Sequence, residues 1–508
     1  MTTSMMAPST RRLALVTVVT ASAAIVYELL IGTLSTYLQG DSALQYSITI
    51  GVFLAAMGVG AWLARGVEQR RDLVGLLIRI EVAVSLLGGF SALALYAANA
   101  VIPAGYTVSM VGLLAALGTL VGMELPVLAE LFKRQGGVRG AFASALALDY
   151  AGSLVGSLAF PLLLLPTLGT VKTALVTGAI NLSVVALLIR VSRPAGATRL
   201  WALLVAALAL LLTGAVKAER MVAWFEHRIY RDEVIWSDTT RFQRIVMTRH
   251  QDDLRLYSDR ELQFSSRDEY RYHEALVHPA LALTDYPEQV LLVGGGDGLA
   301  ARELLKDGRL RALTIVDIDP AMTGLGAKLP QLRALNRDSL SDPRVSIVNA
   351  DGYRFALGTP QRFDVIVLDL PDPRTEAIAR LYAREFYRLL LTRLNPGGTL
   401  VTQASSPYYA RDTFWSIDAT LRSLALHTRP YRINVPAFGE WGFVVAQRER
   451  FDWRELRLEL PRRWLTHTLL QQAVTFDTDT ARPAHTPIST LESPAAWRLY
   501  RRHVSYWR

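Results

Sequence analysis

The chain has 508 residues, of which 51% are hydrophobic, and its mean hydropathy of +0.24 is too high for an ordinary soluble protein. The formal net charge is +9, but many basic residues of the first half flank apolar segments and the others are scattered among acids, which argues against nucleic-acid binding. The absence of cysteine excludes disulfides, thiolate metal sites and cysteine nucleophiles.

Seven apolar segments precede residue 217, and most approach the roughly 20 residues that a helix needs to cross a bilayer. They predict a multi-pass transmembrane domain over 1–219, a membrane α-helical bundle in contact with lipid. The pairs Gly118/Gly122 and Gly152/Gly156 have the spacing that lets membrane helices approach closely. The predicted segments are 13–34, 45–64, 74–97, 106–131, 142–165, 170–190 and 200–216.

Five ionisable residues lie inside these segments: Glu28, Arg79, Glu81, Glu124 and Asp149. A charged group within a membrane segment suggests a functional site, because moving a charge out of water is costly. One interpretation is an acidic site or path for a cation. The other is a structural role, in which the acids pair with a base such as Arg79 or lie near the interface.

The distribution of Lys and Arg bears on membrane topology. Basic clusters lie before the first segment and after the second, fourth and sixth, which the positive-inside rule places in the cytoplasm. Seven full crossings would put the remainder of the chain outside. An enzyme that uses a nucleoside belongs inside with its substrates, so we expect a multi-pass protein of the cell membrane whose catalytic domain is cytoplasmic.

From about residue 220 the pattern predicts an α/β architecture. Short alternating strands indicate a small β subdomain with a linking helix over 220–285. Apolar strands that alternate with helices predict a doubly wound, Rossmann-like sheet of the methyltransferase type over 286–450, followed by a C-terminal extension over 451–508. The sheet strands are expected near 290–294, 313–317, 345–349, 364–369, 399–403 and 442–446.

Four of these strands each deliver a carboxylate at the end, which is the edge where open α/β sheets bind ligands. The loop from Gly294 to Gly298 contains Asp297, which would repel a phosphate and favours a cationic nucleoside. Asp317 ends the second strand at the distance suited to ribose hydroxyls, and Asp351 with Gly352 ends the third. This arrangement predicts a site for an S-adenosyl sulfonium.

The fourth strand ends in two acids, Asp369 and Asp372, which are three residues apart on a turn. Both can face one pocket. A methyltransferase has no general need for this pair, whereas a reaction with an amine nucleophile needs a carboxylate that removes the proton of the amine. Two solvated turn residues are the structural alternative.

Several motifs in order resemble the spermidine synthase family, the polyamine aminopropyltransferases. The membrane segments together with this domain resemble the membrane-anchored branch of that family. The resemblance covers about 237 to 450, a little under half of the chain. The matching stretches are 262–274, the Gly294–Gly298 loop, Asp369–Asp372, 385–387 and 403–407.

The resemblance implies that decarboxylated S-adenosylmethionine donates an aminopropyl group to an amine, typically putrescine, giving spermidine and methylthioadenosine. It implies Asp369 as the catalytic proton acceptor and Asp297 as the acid that holds the amino group of the donor. It implies no metal and a homodimer or homotetramer. Donor binding is implied for Gln243, Asp297, Asp317, Asp351 and Gly352, and amine binding for Tyr272, His273, Asp297, Asp369 and Asp372.

Two departures leave the acceptor amine open. Phe438 stands where the family often has a tyrosine, and the stretch 374–377 replaces the usual Gly-Pro-Ala after the acid pair. Two other functions therefore stay possible: a methyltransferase of the same fold that uses S-adenosylmethionine, and a polyamine-binding transporter or sensor whose synthase-like domain is inactive.

Overall fold

The structure is a computed structural model that describes residues 9–39, 42–70, 72–135, 141–194, 196–230 and 232–507. It divides into two compact units, Met1–Arg244 and Ile245–Arg508. The sequence places the change of composition at residue 220, at the end of the apolar stretch. The finer domain limits stay predictions.

The first unit is helical, and the seven predicted apolar segments fall in its helices, although 74–97 is divided between two helices and 142–165 runs from one helix into the next. Among the described residues, five helical stretches are long and apolar enough to cross a membrane, or six if the pair α3–α4, bent by 43°, is one span. The helices are α1 (Thr10–Gln39), α2 (Ser42–Leu63), α3 (Leu73–Gly89), α4 (Ser91–Val101), α5 (Tyr106–Arg134), α6 (Ala141–Ala159), α7 (Leu165–Ser192) and α8 (Ala197–Tyr230), and the strand β1 (Glu233–Thr239) follows.

Small residues bring the helices of the first unit together. A side-chain carbon on Gly122 would lie 2.1 Å from the carbonyl oxygen of Met57, so α5 packs directly on the backbone of α2. A carbon on Gly156 would lie 2.5 Å from the carbonyl oxygen of Ser22, which holds α6 equally close to α1. These are the close approaches that the glycine spacing predicts.

Among the described residues, Arg79 forms no ion pair with the predicted membrane acids Glu28, Glu81, Glu124 and Asp149. Arg79 lies 3.8 Å from Asp72, and both side chains are about half exposed. Glu81 is fully buried and accepts a hydrogen bond of 2.8 Å from Asn181, while Glu124 is also buried. A cation path along these carboxylates stays a prediction.

The second unit contains an antiparallel meander and a seven-stranded sheet. The meander strands are β2 (Arg244–His250), β3 (Asp253–Ser258) and β4 (Glu261–Ser265). The large sheet contains β5 (Gln289–Gly294), β6 (Ala312–Asp317), β7 (Val345–Asn349), β8 (Phe363–Asp369), β9 (Leu394–Gln403), β10 (His427–Val435) and β11 (Gly439–Gln447). The helices are α9 (Glu269–Ala282), α10 (Leu299–Leu304), α11 (Pro320–Lys328), α12 (Pro330–Asn336), α13 (Gly352–Gly358), α14 (Glu376–Ala379), α15 (Arg384–Leu391), α16 (Arg411–Arg422), α17 (His467–Gln472) and α18 (Ala495–Trp507).

The large sheet is Rossmann-like, with the order β10-β11-β9-β8-β5-β6-β7. Strands β5 to β9 pair in parallel, whereas β11 pairs antiparallel with both β9 and β10. From β5 the chain adds β6 and β7 on one side and then returns to place β8 on the other side of β5. The strand order therefore reverses between β5 and β8, and the carboxyl ends of these two strands flank the switch point where such sheets bind ligands.

Helices cover both faces of the sheet, and its central strands are apolar on both faces. Val290 and Leu292 of β5 pack into one core, and Leu291 and Val293 pack into the other. This alternation explains why the central strand is apolar throughout instead of alternating with polar residues. The sequence did not predict β10, an edge strand interrupted by polar residues and Pro430.

Candidate active site

The glycine loop after β5 lies against the end of β8. Gly294 pairs with Asp369 in the parallel register and has φ of 85°. A side-chain carbon at this position would lie 1.9 Å from the carbonyl oxygen of Asp369, so only glycine fits. The loop and the acid at the end of β8 therefore share one site.

Asp369 is held by an aromatic hydroxyl. Tyr272 of α9 donates a hydrogen bond of 2.8 Å to Asp369 Oδ1. Desolvation raises the pKa of Asp369, while the charge of His273 and the Tyr272 hydroxyl lower it. The predicted proton acceptor and two predicted amine-binding residues thus lie together, and the carboxylate is orientated before any substrate binds.

A buried ion network fixes the adjacent His273. Its Nδ1 lies 2.9 Å from Glu269 Oε2, and Arg302 donates to both oxygens of Glu269 at 2.9 and 2.8 Å. Burial lowers the pKa of His273, but the hydrogen bond to Glu269 and nearby carboxylates raise it to about 9. His273 is therefore a cation at neutral pH, and it stabilises the acids of the site.

Asp297 lies in the glycine loop at the start of α10. Its Oδ1 accepts a hydrogen bond of 2.8 Å from the backbone N–H of Leu299. Desolvation raises the pKa of Asp297 to about 6, the His273 cation opposes this rise, and the charge of Asp369 adds to it. The two acids Asp297 and Asp369 outnumber the His273 cation beside them, which suits a substrate with more than one cationic group.

Asp317 lies at the end of β6, beside the glycine loop. It accepts hydrogen bonds from the backbone N–H groups of Gly296, at 3.1 Å, and Asp319, at 2.9 Å. Desolvation raises the pKa of Asp317 to about 6, although these two hydrogen bonds lower it. Each carboxylate oxygen has a second lone pair, so the predicted contact with ribose hydroxyls is compatible with this geometry.

The remaining predicted donor residues have structural partners of their own. Asp351 caps α13 by accepting a hydrogen bond of 3.0 Å from Arg354 N, and it forms an ion pair with Arg380. A side-chain carbon at Gly352 would lie 2.8 Å from Val293, which fixes α13 close to β5. Gln243 lies in the turn before β2, and its contact with the nucleoside stays a prediction.

Asp372 lies beyond the end of β8 and has partners that the sequence did not suggest. Desolvation raises its pKa to about 6, and the hydroxyls of Tyr500 and Ser405 lower it as hydrogen-bond donors. Ser405 has φ of 67°, a conformation uncommon for a residue with a side chain. Such a residue often marks a functional site, but the sequence alone does not reveal the angle.

An aromatic wall surrounds Tyr272. The ring centroids of Phe438 and Trp441 each lie 6.4 Å from that of Tyr272, and the Phe443 centroid lies at 5.2 Å. Phe438 thus lies beside Tyr272, which the sequence predicts to bind the amine, and it has no hydroxyl. Trp441 Nε1 is buried and has no hydrogen-bond partner among the described residues.

Two further residues support the acid pair. Gln403 is fully buried and donates to the carbonyl oxygen of Leu370, at 2.7 Å, and to the Tyr382 hydroxyl. Tyr382 in turn donates to the Pro371 carbonyl oxygen at 2.9 Å. These bonds fix the backbone between Asp369 and Asp372, a role that the sequence did not assign to either residue.

Comparison with known proteins gives a consistent result over almost the whole chain. Residues 269–453 match the model of the spermine/spermidine synthase domain. Polyamine aminopropyltransferase 2 of Ralstonia nicotianae is 42% identical over 485 residues, which cover 94% of each chain. The polyamine aminopropyltransferase of Leptospira interrogans is 37% identical, covering 95% of this chain and 96% of its own. That of Mycobacterium tuberculosis is 39% identical, with 93% and 92% covered.

Two of the solved structures that match are spermidine synthases, and each covers about half of this chain. A spermidine synthase in complex with the transition-state analogue AdoDATO is 25% identical, with a TM-score of 0.44, and covers 48% of this chain and 85% of its own. The spermidine synthase of Thermotoga maritima is 25% identical, with a TM-score of 0.42, and covers 48% and 84%.

Proposed function

This chain belongs to the spermidine synthase family of polyamine aminopropyltransferases, and we propose that it transfers an aminopropyl group to a small amine. The donor is decarboxylated S-adenosylmethionine, and the acceptor is putrescine or a similar amine. With putrescine the products are spermidine and methylthioadenosine. The observation that carries the proposal is the hydrogen-bonded pair of Tyr272 and Asp369 against the glycine loop.

The proposed reaction is a direct displacement at carbon. Asp369 accepts a proton from the attacking ammonium group, and the freed nitrogen lone pair attacks the aminopropyl methylene carbon next to the sulfonium. The carbon–sulfur bond breaks and its electron pair returns to sulfur, so that a neutral thioether leaves. No covalent enzyme intermediate is required, and positioning together with deprotonation supplies the rate enhancement.

The remaining residues position the two substrates. We assign Asp317, Asp351 and Gly352 to the nucleoside of the donor, with Gln243 as a further contact. Asp297 holds the cationic amino group at the end of the aminopropyl chain, while Asp372 and His273 line the amine side. The excess of acids over bases in this cluster supports a polycationic reaction complex.

Mass spectrometry of the reaction products tests the proposal. Purified full-length protein is incubated with either decarboxylated or intact S-adenosylmethionine and with a panel of mono- and diamines. We expect aminopropylated amine and an equal amount of methylthioadenosine from the decarboxylated donor alone. Methylated product from the intact donor would instead support a methyltransferase, and binding of polyamine without turnover of either donor would support a sensor or transporter.

We further propose that the first unit crosses the cell membrane several times and that the catalytic unit lies in the cytoplasm. The apolar helices support a membrane location, and the basic clusters before α1, after α2 and at the end of α5 support the orientation. An even count of six crossings would return the chain to the side of Arg11 and Arg12, where it begins. The catalytic unit would then face the cellular supply of nucleoside donor and amine.

Single-cysteine labelling tests this topology, because the chain contains no native cysteine. Gly358→Cys lies in open space in the catalytic unit, Glu68→Cys follows α2 and Ala104→Cys precedes α5, and all three sites are exposed. In intact cells we expect a membrane-impermeant maleimide to label position 104 only. Positions 68 and 358 should react after permeabilisation. Labelling of position 358 in intact cells would place the catalytic unit outside.

A further inference from the structure

Three buried polar side chains form a cluster in the middle of the first unit. Glu81 lies near the middle of α3, and Asn181 and Tyr27 lie in the central parts of α7 and α1. Each of the three residues is at most 1% exposed. If these helices cross the bilayer as proposed, the cluster lies in its hydrocarbon core, where polar groups are rare and commonly functional.

Hydrogen bonds and a close helix approach define the cluster. Asn181 Nδ2 donates to Glu81 Oε2 at 2.8 Å and to Ser85 Oγ at 3.1 Å. A side-chain carbon on Gly178 would lie 2.6 Å from the carbonyl oxygen of Ser85 and 3.2 Å from the Tyr27 hydroxyl. Because Gly178 precedes Asn181 by one helical turn, the hydroxyl of α1 reaches the same contact between α3 and α7.

Three oxygen atoms of the cluster have no hydrogen-bond partner among the described residues. They are Glu81 Oε1, Asn181 Oδ1 and Tyr27 Oη, and all three are buried. Arg79, which is also in α3, lies beside the half-exposed Asp72 instead. Buried polar atoms without a partner are costly, above all on a carboxylate. Three of them together therefore indicate a binding site.

The unpartnered atoms indicate the chemistry of the ligand that would satisfy them. Carboxylate and amide oxygens can only accept hydrogen bonds, and the Tyr27 hydroxyl can accept one as well. A primary ammonium group has a positive charge and three N–H donors, so it can bind one atom from each helix. A divalent metal ion prefers about six or more oxygen ligands, which is more than the side chains of this cluster supply.

Two of the three helices that form the cluster are interrupted. Helix α3 ends at Gly89, one turn after Ser85, and the chain bends by 43° into α4. Helix α7 follows a π-helical turn at Phe160–Leu164 and is broken at Gly169, which has φ of 68°. Discontinuous helices beside a buried polar site are typical of membrane transporters. Movement at such breaks would expose the cluster.

We propose that Glu81, Asn181 and Tyr27 form an intramembrane site for the ammonium group of an amine, and that the first unit uses it to carry amines through the membrane. Glu81 supplies the opposite charge, and the other two side chains complete the hydrogen bonds. The three atoms are closed off from solvent in this structure, so the amine enters when the interrupted helices open. The choice of an amine as ligand rests on the proposed aminopropyl transfer, whereas the site rests on contacts within the first unit alone.

Uptake of radiolabelled putrescine by proteoliposomes that contain the full-length protein tests the inference. No sulfonium donor is present, so aminopropyl transfer does not contribute. We expect saturable uptake above that of protein-free vesicles. Glu81→Gln should lower the initial rate at low amine concentration roughly 10- to 100-fold, because it removes the charge and nearly keeps the shape. Tyr27→Phe should lower it roughly 2- to 10-fold, because one uncharged hydrogen bond is lost.

A control and an independent measure of folding separate this role from a merely structural one. Glu68→Gln changes an exposed acid after α2 and should take up putrescine as wild type does. Thermal unfolding and size-exclusion elution of each purified variant report whether it is folded. If Glu81→Gln does not fold, Tyr27→Phe decides alone, because a hydroxyl that binds nothing can be removed without loss of uptake.

Unchanged uptake in the folded variants, or wild-type uptake no greater than that of protein-free vesicles, would overturn the inference. Uptake of radioactive sodium or of protons in place of putrescine would also overturn it, because the ligand would then be an inorganic cation. Putrescine uptake without formation of any aminopropyl product in the separate enzyme assay would instead refute only the proposed function.

Discussion

Replacement of Asp369 by asparagine is expected to lower kcat for aminopropyl transfer by a factor of roughly 100 to 10,000, the range that general base catalysis supplies. Asparagine has nearly the shape of aspartate, and its amide oxygen can still accept the hydrogen bond from Tyr272. It cannot accept the proton of the attacking amine. The loss should therefore appear in kcat, whereas binding of the donor should change little.

The surroundings of Asp369 favour its proposed role as a base. Desolvation raises the pKa of its carboxyl, and the His273 cation and Tyr272 hydroxyl limit that rise. A base is most effective when its pKa lies close to the working pH. Above that pKa the carboxylate is ionised, so kcat should fall as the pH falls and the acid becomes protonated.

Single-turnover kinetics with saturating donor and amine measure the chemical step directly. Isothermal titration with the donor alone reports whether the nucleoside pocket is intact in Asp369→Asn. The matched control is Asp285→Asn, which changes an exposed acid in the loop before β5, at the opposite end of that strand from the site. A single-turnover rate in Asp369→Asn within tenfold of wild type would assign the proton to another group.

The sequence was sufficient to predict the central strands of the sheet and the acids at their ends. Strands β5 and β8 are apolar on both faces, which is typical of parallel strands between two helical layers. Strand β10 escaped prediction because its buried residues, such as Tyr431 and Val435, are interrupted by Pro430 and Arg432. As an edge strand it tolerates proline and charge, and its place depends on pairing with β11.

In the site, too, the sequence predicts local contacts but not those between residues that are distant along the chain. Glu269 could have been predicted as the partner of His273, because residues four apart on a helix lie on one face. The ion pair of Asp351 with Arg380 and the backbone angle of Ser405 depend on chain packing. No local pattern encodes them, since Arg380 lies 29 residues after the acid it contacts.

Asp297→Asn is expected to weaken binding of decarboxylated S-adenosylmethionine by roughly 30- to 5,000-fold, corresponding to about 2–5 kcal/mol for loss of one partner of a buried charge pair. It should weaken binding of intact S-adenosylmethionine far less, because that molecule carries a carboxylate that Asp297 repels. The preference for the decarboxylated donor should therefore fall at least about tenfold. The charge of Asp297 would thus both hold the decarboxylated donor and exclude its carboxylated precursor.

The pH dependence provides a second signature of the same residue. The pKa of Asp297 is raised to about 6, so the acid is ionised above this pH and becomes neutral below it. The dissociation constant of the decarboxylated donor should rise by about tenfold for each pH unit below 6. In Asp297→Asn it should be nearly independent of pH over the same interval, apart from the smaller effect of Asp317.

Titration of each donor in the absence of amine measures both effects without the contribution of Asp369 to turnover. Asp317→Asn is the matched comparison, because this acid also has a pKa raised to about 6 but is assigned by our proposal to the ribose that the two donors share. It should weaken both donors alike and leave their ratio unchanged. If Asp297→Asn also preserved the ratio, donor selection would have to arise from the shape of the pocket and not from the charge in the glycine loop.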